Sequence, residues 1–154
     1  MPHIDQTEKT TQSRVIKFFV GKLHYTYLGN LHDSENRNIM QERLHTWLLR
    51  QGYSEKLASN AVDALVKTST NLQQGLYHAN KEVYSLLKYG AKVKESVEQS
   101  PKTVYFIDFE DVSKNDFYIA EEVTIVSNNT KRRDIVLYVN GIALAVIELK
   151  KSSV

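Results

Sequence analysis

The sequence predicts an α+β fold, with a helical N-terminal half packed on a mixed, largely antiparallel β-sheet. Three observations predict it. Apolar residues recur at helical spacing as far as Gly90. From Ala91 onward the period changes to two, as strands require. The last apolar runs are joined by Asn140-Gly141, a strong short-range hairpin signal. Helices followed by a run of strands is the order of an α+β domain.

Met1 to Gln12 are polar and aperiodic and read as a mobile tail, so structure is expected from Ser13. Val15, Ile16, Phe19 and Leu23 then mark a first helix, and His24 to Leu28 a short strand ending at Gly29. A second helix carries Met40, Leu44, Trp47 and Leu48, with Ser34 as its N-cap and Gly52 as its stop. Ser54 caps a further helix with Ala58, Ala61, Val62 and Leu65 on one face. Another carries Leu72, Leu76, Ala79, Val83 and Leu86 and ends at Gly90. The predicted strands are Ala91 to Glu95, Thr103 to Phe109, Phe117 to Val126, Asp134 to Val139 and Ile142 to Lys150. This divides the chain into a tail 1–12 and one domain 13–154, made of a helical lead 13–90 and a sheet 91–154.

Composition narrows the function classes. With 42% apolar and 25% charged residues, the 154-residue chain has the balance of a globular protein able to bury a core. No cysteine is present, which excludes a disulfide framework and thiolate metal sites and fits a reducing cytoplasm. The apolar run Ile142 to Ile147 is far shorter than the ~20 residues of a membrane helix, so no membrane partner is expected. A net charge of +2 announces no nucleic-acid footprint by itself. Only two local clusters stand out, Lys131-Arg132-Arg133 and Lys150-Lys151; they are either solvated rim or DNA contacts.

The final hairpin holds the chemistry-bearing residues. Asp134 opens one strand, and Glu148 and Lys150, two apart, share one face at the end of the next. Lys and Glu are rarely fully buried unless paired, so the strand either runs into solvent or delivers charges to a site. Spacing alone leaves both readings open.

The stretch from Arg132 to Gly141, running into Val146-Ile147-Glu148-Leu149-Lys150, resembles the nuclease motif of type I restriction subunits, members of the PD-(D/E)xK superfamily. Asn80, Val83 to Gly90, Val93-Lys94, Thr103 to Asp108 and Asn115-Asp116-Phe117 are similar to that family in the same order. The likeness is clear in the second half of the chain and faint in the first. Arg133 stands where the motif usually has Pro.

The resemblance implies a restriction endonuclease-like fold and a metal-dependent type I site-specific deoxyribonuclease. Asp134, Glu148 and the Leu149 backbone carbonyl would ligate Mg²⁺ or Mn²⁺, which suits hard oxygen donors. Lys150 would be a charged ammonium that orients the attacking water. Glu82 is a candidate further acidic ligand from the helical lead, and Lys131, Arg132, Arg133 and Lys151 are candidate DNA contacts. Duplex DNA and the modification and specificity subunits are the implied partners. ATP and S-adenosylmethionine would act only through other domains and those subunits, since no Gly-rich phosphate loop with Lys and Ser/Thr is present. The family has a further Gln-containing helix after the Lys, so the domain is expected to be incomplete at its C-terminal end, and alone weakly active or inactive. The alternatives are a catalytically silent DNA- or subunit-docking module and a stand-alone repair-type nuclease of the same superfamily.

Strand parity sets a condition on this site. A two-residue Asn140-Gly141 turn with a regular ladder places Asp134 opposite Ile147, on the face away from Glu148. A three-residue loop, Val139-Asn140-Gly141, pairs Asp134 with Val146 and brings the charges to one face. A β-bulge elsewhere in the two strands would shift parity equally well.

Overall fold

A computed structural model describes residues 3–34, 38–125 and 131–150. The chain divides into two compact units, Met1–Met40 with Asp116–Val154, and Gln41–Asn115. This differs from the expected division at residue 90, because one helix belongs with the sheet and the other three gather with a small hairpin.

The first unit holds α1 (His3–Gly21), β1 (Thr26–Asn30), β4 (Phe117–Ile125), β5 (Lys131–Val139) and β6 (Ile142–Ile147). The strands form one mixed sheet in the order β1-β4-β5-β6, with β1 parallel to β4 and the remaining pairs antiparallel. Ile135 and Val136 are neighbours in sequence, so they face opposite sides, yet both are fully buried. Each face of the sheet is therefore covered at this level. On one face Ala120, Val123, Val136 and Tyr138 pack with Leu28, Leu31, Met40, Tyr118 and Ala143. The α1 helix meets the sheet through an aromatic chain, with Phe19 edge-on to Tyr25 at 5.0 Å and Tyr25 against Phe117 at 5.3 Å.

The tail expected over 1–12 is corrected by α1, which starts at His3. No Gly or Pro interrupts residues 3–20. Polar composition hid a helix that is tied down at Gln12, a buried side chain whose amide donates to Glu121 Oε2 at 2.9 Å.

The second unit holds α2 (Gln41–Arg50), α3 (Glu55–Thr70), α4 (Leu76–Tyr89) and the antiparallel pair β2 (Ala91–Val93) and β3 (Lys102–Val104). Leu44, Trp47 and Leu48 of α2 and Leu57, Ala58, Ala61, Val62 and Leu65 of α3 are buried, as the apolar stripes require. Ser54 caps α3 by accepting from the Leu57 amide at 3.2 Å. The α2 helix begins at Gln41, so Ser34 does not stand at its N-cap position. Gly90 turns the chain from α4 into β2 at φ +80°, and a Cβ there would lie 2.8 Å from the Val104 carbonyl oxygen. Only glycine fits that approach.

Candidate active site

The hairpin β5-β6 is built around two left-handed residues, Asn140 at φ 53° and Gly141 at φ 90°. That pair defines a two-residue turn, and Val139 accordingly pairs with Ile142. The three-residue loop is thus not used. Parity is restored instead by a β-bulge: Tyr138 pairs with Ala143 but Leu137 with Ala145, leaving Leu144 as the extra residue. Ile135 then pairs with Ile147, the last pair of the ladder. Continued by one residue, that register would set Asp134 opposite Glu148, which lies just beyond the end of β6.

The turn is locked from outside the hairpin. Buried Asn140 accepts the Asp116 amide on its Oδ1 at 2.7 Å and donates its own amide to the Asp116 carbonyl at 2.8 Å. Residues 38–40 lie along the start of β6, with Met40 N donating to Gly141 O at 2.7 Å and Ala143 N to Asn38 O at 2.8 Å. Beyond them Leu144, Ala145 and Val146 are exposed, so β6 reaches its charged end through a solvent-facing stretch and not a buried one.

The carboxylates have protein partners. Half-buried Asp134 accepts the Leu149 amide on Oδ2 at 2.7 Å. Glu148 Oε1 lies 3.0 Å from Arg133 Nη1 in a partly exposed ion pair. An exposed pair of this kind contributes only ~0.2–1 kcal/mol to stability. Lys150 is exposed. Among the described residues no group of three His, Asp or Glu side chains converges as a metal cage. Two carboxylates and a main-chain carbonyl are the hard oxygen donors that a divalent cation of the Mg²⁺ kind takes; here the Glu148 carboxylate is paired with Arg133, and Asp134 accepts the Leu149 amide.

The other predicted residues are dispersed. Arg132 Nε is 2.8 Å from Glu122 Oε2, so two members of the basic cluster are engaged in ion pairs, while Lys131 is exposed. Lys151 lies outside the described residues. Glu82 lies on α4 in the second unit, in a surface hollow of about 410 Å³ shared with Thr68, His78 and Lys81.

One acidic residue at the level of Asp134 escaped the sequence reading. Glu121 pairs with Ile135 and Val123 with Arg133, so Glu122 of β4 stands opposite Asp134. Its φ of 53° is unusual for a non-glycine residue, and Gln12 reaches its Oε1 at 3.3 Å. The signal was present as two consecutive charges inside an apolar strand.

An α+β chain with opposed acidic residues on neighbouring strands is thus the class that fold and site define. The family model described as "Type I restriction enzyme R protein N terminus" matches residues 5–154, and the chain belongs to this family. It is 36% identical over 100 residues to the type I restriction enzyme HindI endonuclease subunit of Haemophilus influenzae, a match covering 62% of this chain and 10% of that protein. It is 32% identical over 91 residues to the putative type I restriction enzyme MjaIXP endonuclease subunit of Methanocaldococcus jannaschii, covering 54% of this chain and 9% of that one. The matched stretches therefore span about a tenth of each relative's length. No solved structure matches the chain. Among the described residues no helix is long and apolar enough to cross a membrane.

Proposed function

We propose that this chain is a metal-dependent DNA-cleaving domain of a type I restriction subunit, with a PD-(D/E)xK site made of Asp134, Glu148 and Lys150. The observation that supports the reading is the bulged register, which sets Ile135 on Ile147 so that its continuation would bring Asp134 opposite Glu148, in a chain of the restriction R-protein family. A regular two-residue hairpin would have put them on opposite faces.

Asp134, Glu148 and the Leu149 carbonyl would hold Mg²⁺ or Mn²⁺, and a bound ion of this kind polarises a phosphodiester and favours hydroxide over water. Asp134 is already oriented by the Leu149 amide. Glu148 would leave its weak surface ion pair with Arg133 to become a ligand. The Lys150 ammonium would orient the attacking water and offset charge that builds on the phosphate oxygens. Duplex DNA is the substrate. Modification and specificity subunits are the partners of the parent complex, and ATP and S-adenosylmethionine act through those other parts.

Purified chain is expected to nick supercoiled plasmid slowly with Mg²⁺ or Mn²⁺, and Asp134→Ala should abolish the nicking. Nicking that persists in EDTA or in Asp134→Ala would overturn the reading. A second reading, a silent docking module, is favoured by the protein partners that both carboxylates have. It predicts no saturable Mn²⁺ binding.

A further inference from the structure

Arg133 Nη1 lies 3.0 Å from Glu148 Oε1, and both side chains are partly exposed. Arg133 and Asp134 are adjacent on β5 and so project to opposite faces, while the register, continued one residue past its last pair of Ile135 with Ile147, would set Glu148 opposite Asp134. The β6 ladder ends at Ile147, which frees the next residues from strand geometry. Main chain and side chain then part company: the Leu149 amide goes to Asp134, whereas the Glu148 carboxylate goes to Arg133.

We infer that Arg133 is a positioning residue that holds Glu148 in a resting state and competes with the divalent cation for it. The inference rests on the metal-site reading above. A guanidinium is permanently charged, so the competition is unaffected by pH in the physiological range. It is sensitive to salt, because exposed charges are screened. Binding of a cation then requires Glu148 to exchange one positive partner for another, which lowers apparent affinity without changing the ligand set.

Mn²⁺ titration of the full 154-residue chain, followed by calorimetry and by the electron paramagnetic resonance signal of free Mn²⁺, tests this. Arg133→Ala should tighten Mn²⁺ binding by about threefold, the scale of an exposed ion pair. Arg133→Lys, which keeps the charge, should return affinity to near the starting value. In a Glu148→Gln background Arg133→Ala should change affinity little, since the carboxylate it acts through is gone. Equal tightening in both backgrounds would show a bare charge effect and overturn the positioning role. Unchanged or weaker binding in Arg133→Ala would overturn it too. The metal-site reading fails separately, by Asp134→Ala leaving Mn²⁺ binding intact.

Discussion

Asp134 Oδ2 accepts a 2.7 Å hydrogen bond from the Leu149 amide, fifteen residues further along the chain. The bond fastens the segment after β6 to β5. Asp134→Ala leaves a partly buried N–H without its acceptor, which costs about 1–2 kcal/mol. Asp134→Asn keeps an oxygen acceptor at the same place and should cost less than about 1 kcal/mol. Urea unfolding and Leu149 amide exchange should rank the two variants in that order. Both lose the carboxylate, so under the proposed function both bind Mn²⁺ more weakly, and only the alanine variant also loosens the segment.

Asn140 should be the most sensitive polar position of the first unit. It is fully buried, adopts φ 53°, and exchanges two hydrogen bonds with the main chain of Asp116. Asn140→Ala strands the Asp116 amide and places a Cβ residue without a local polar side chain in the left-handed region, costing about 2–4 kcal/mol in sum. Asn140→Gly relaxes the backbone but still loses the Oδ1 acceptor, so it should fall between alanine and the native residue. Thermal unfolding of the three chains gives the ranking, and equal midpoints for alanine and glycine would contradict the strain component.

Much of this was legible in the sequence for a physical reason. Periodicity reports burial, and the stripes of α2 and α3 were visible because Leu44, Trp47 and Leu48, and Ala58, Ala61, Val62 and Leu65, are truly core. The Asn140-Gly141 turn was visible because few residue pairs tolerate two left-handed conformations. The first turns of α1 were not, since a polar helix pinned by one buried Gln12 leaves no apolar stripe there to read. The bulge at Leu144 was not either, because any exposed residue of β6 can be the extra one, and only pairing partners reveal which is. Glu122 escaped for a related reason: its place beside Asp134 depends on β4 register, a long-range property.

Tyr138 predicts an alkaline signature. Its hydroxyl is buried and has no hydrogen-bond partner among the described residues, and burial pushes its pKa up to about 12 from an ordinary 10.0. The folded state thus holds the proton more tightly than the unfolded chain. The associated stability is complete below pH 10 and is lost as pH rises through about 12. Tyr27 is shifted the same way to about 12, first by burial and then by its hydrogen bond to Glu121. Tyr138→Phe removes an unsatisfied polar atom, so at neutral pH it should be neutral or stabilising by about 1 kcal/mol. It should also move the alkaline unfolding midpoint upward. A loss of more than about 1 kcal/mol in urea titration at pH 7 would mean that the hydroxyl is bonded after all.

The β-bulge makes β6 asymmetric toward changes of length. Leu144 is the residue that the ladder skips, with Tyr138 on Ala143 and Leu137 on Ala145 on either side of it. Deleting Leu144 converts the bulge into a regular pair and leaves Ile135 on Ile147, so Asp134 still stands opposite Glu148. The deleted side chain is 46% exposed, and little packing is lost with it. Inserting one alanine between Leu144 and Ala145 has no such outlet. With the existing bulge retained, every position after it slips by one, Asp134 moves opposite Ile147, and Glu148 passes to the other face. Leu149 amide exchange separates the outcomes without appeal to catalysis, because the Asp134 hydrogen bond protects that amide only in the native register. The deletion should keep Leu149 protected and Mn²⁺ affinity near that of the unaltered chain. The insertion should lose both, with a cost of about 1–2 kcal/mol from the stranded amide. If the insertion kept Leu149 protected, a second bulge would be absorbing it, and register would not be what assembles the site. If the deletion abolished protection, Leu144 would be holding the strand end by packing, and its role as the skipped residue would be wrong.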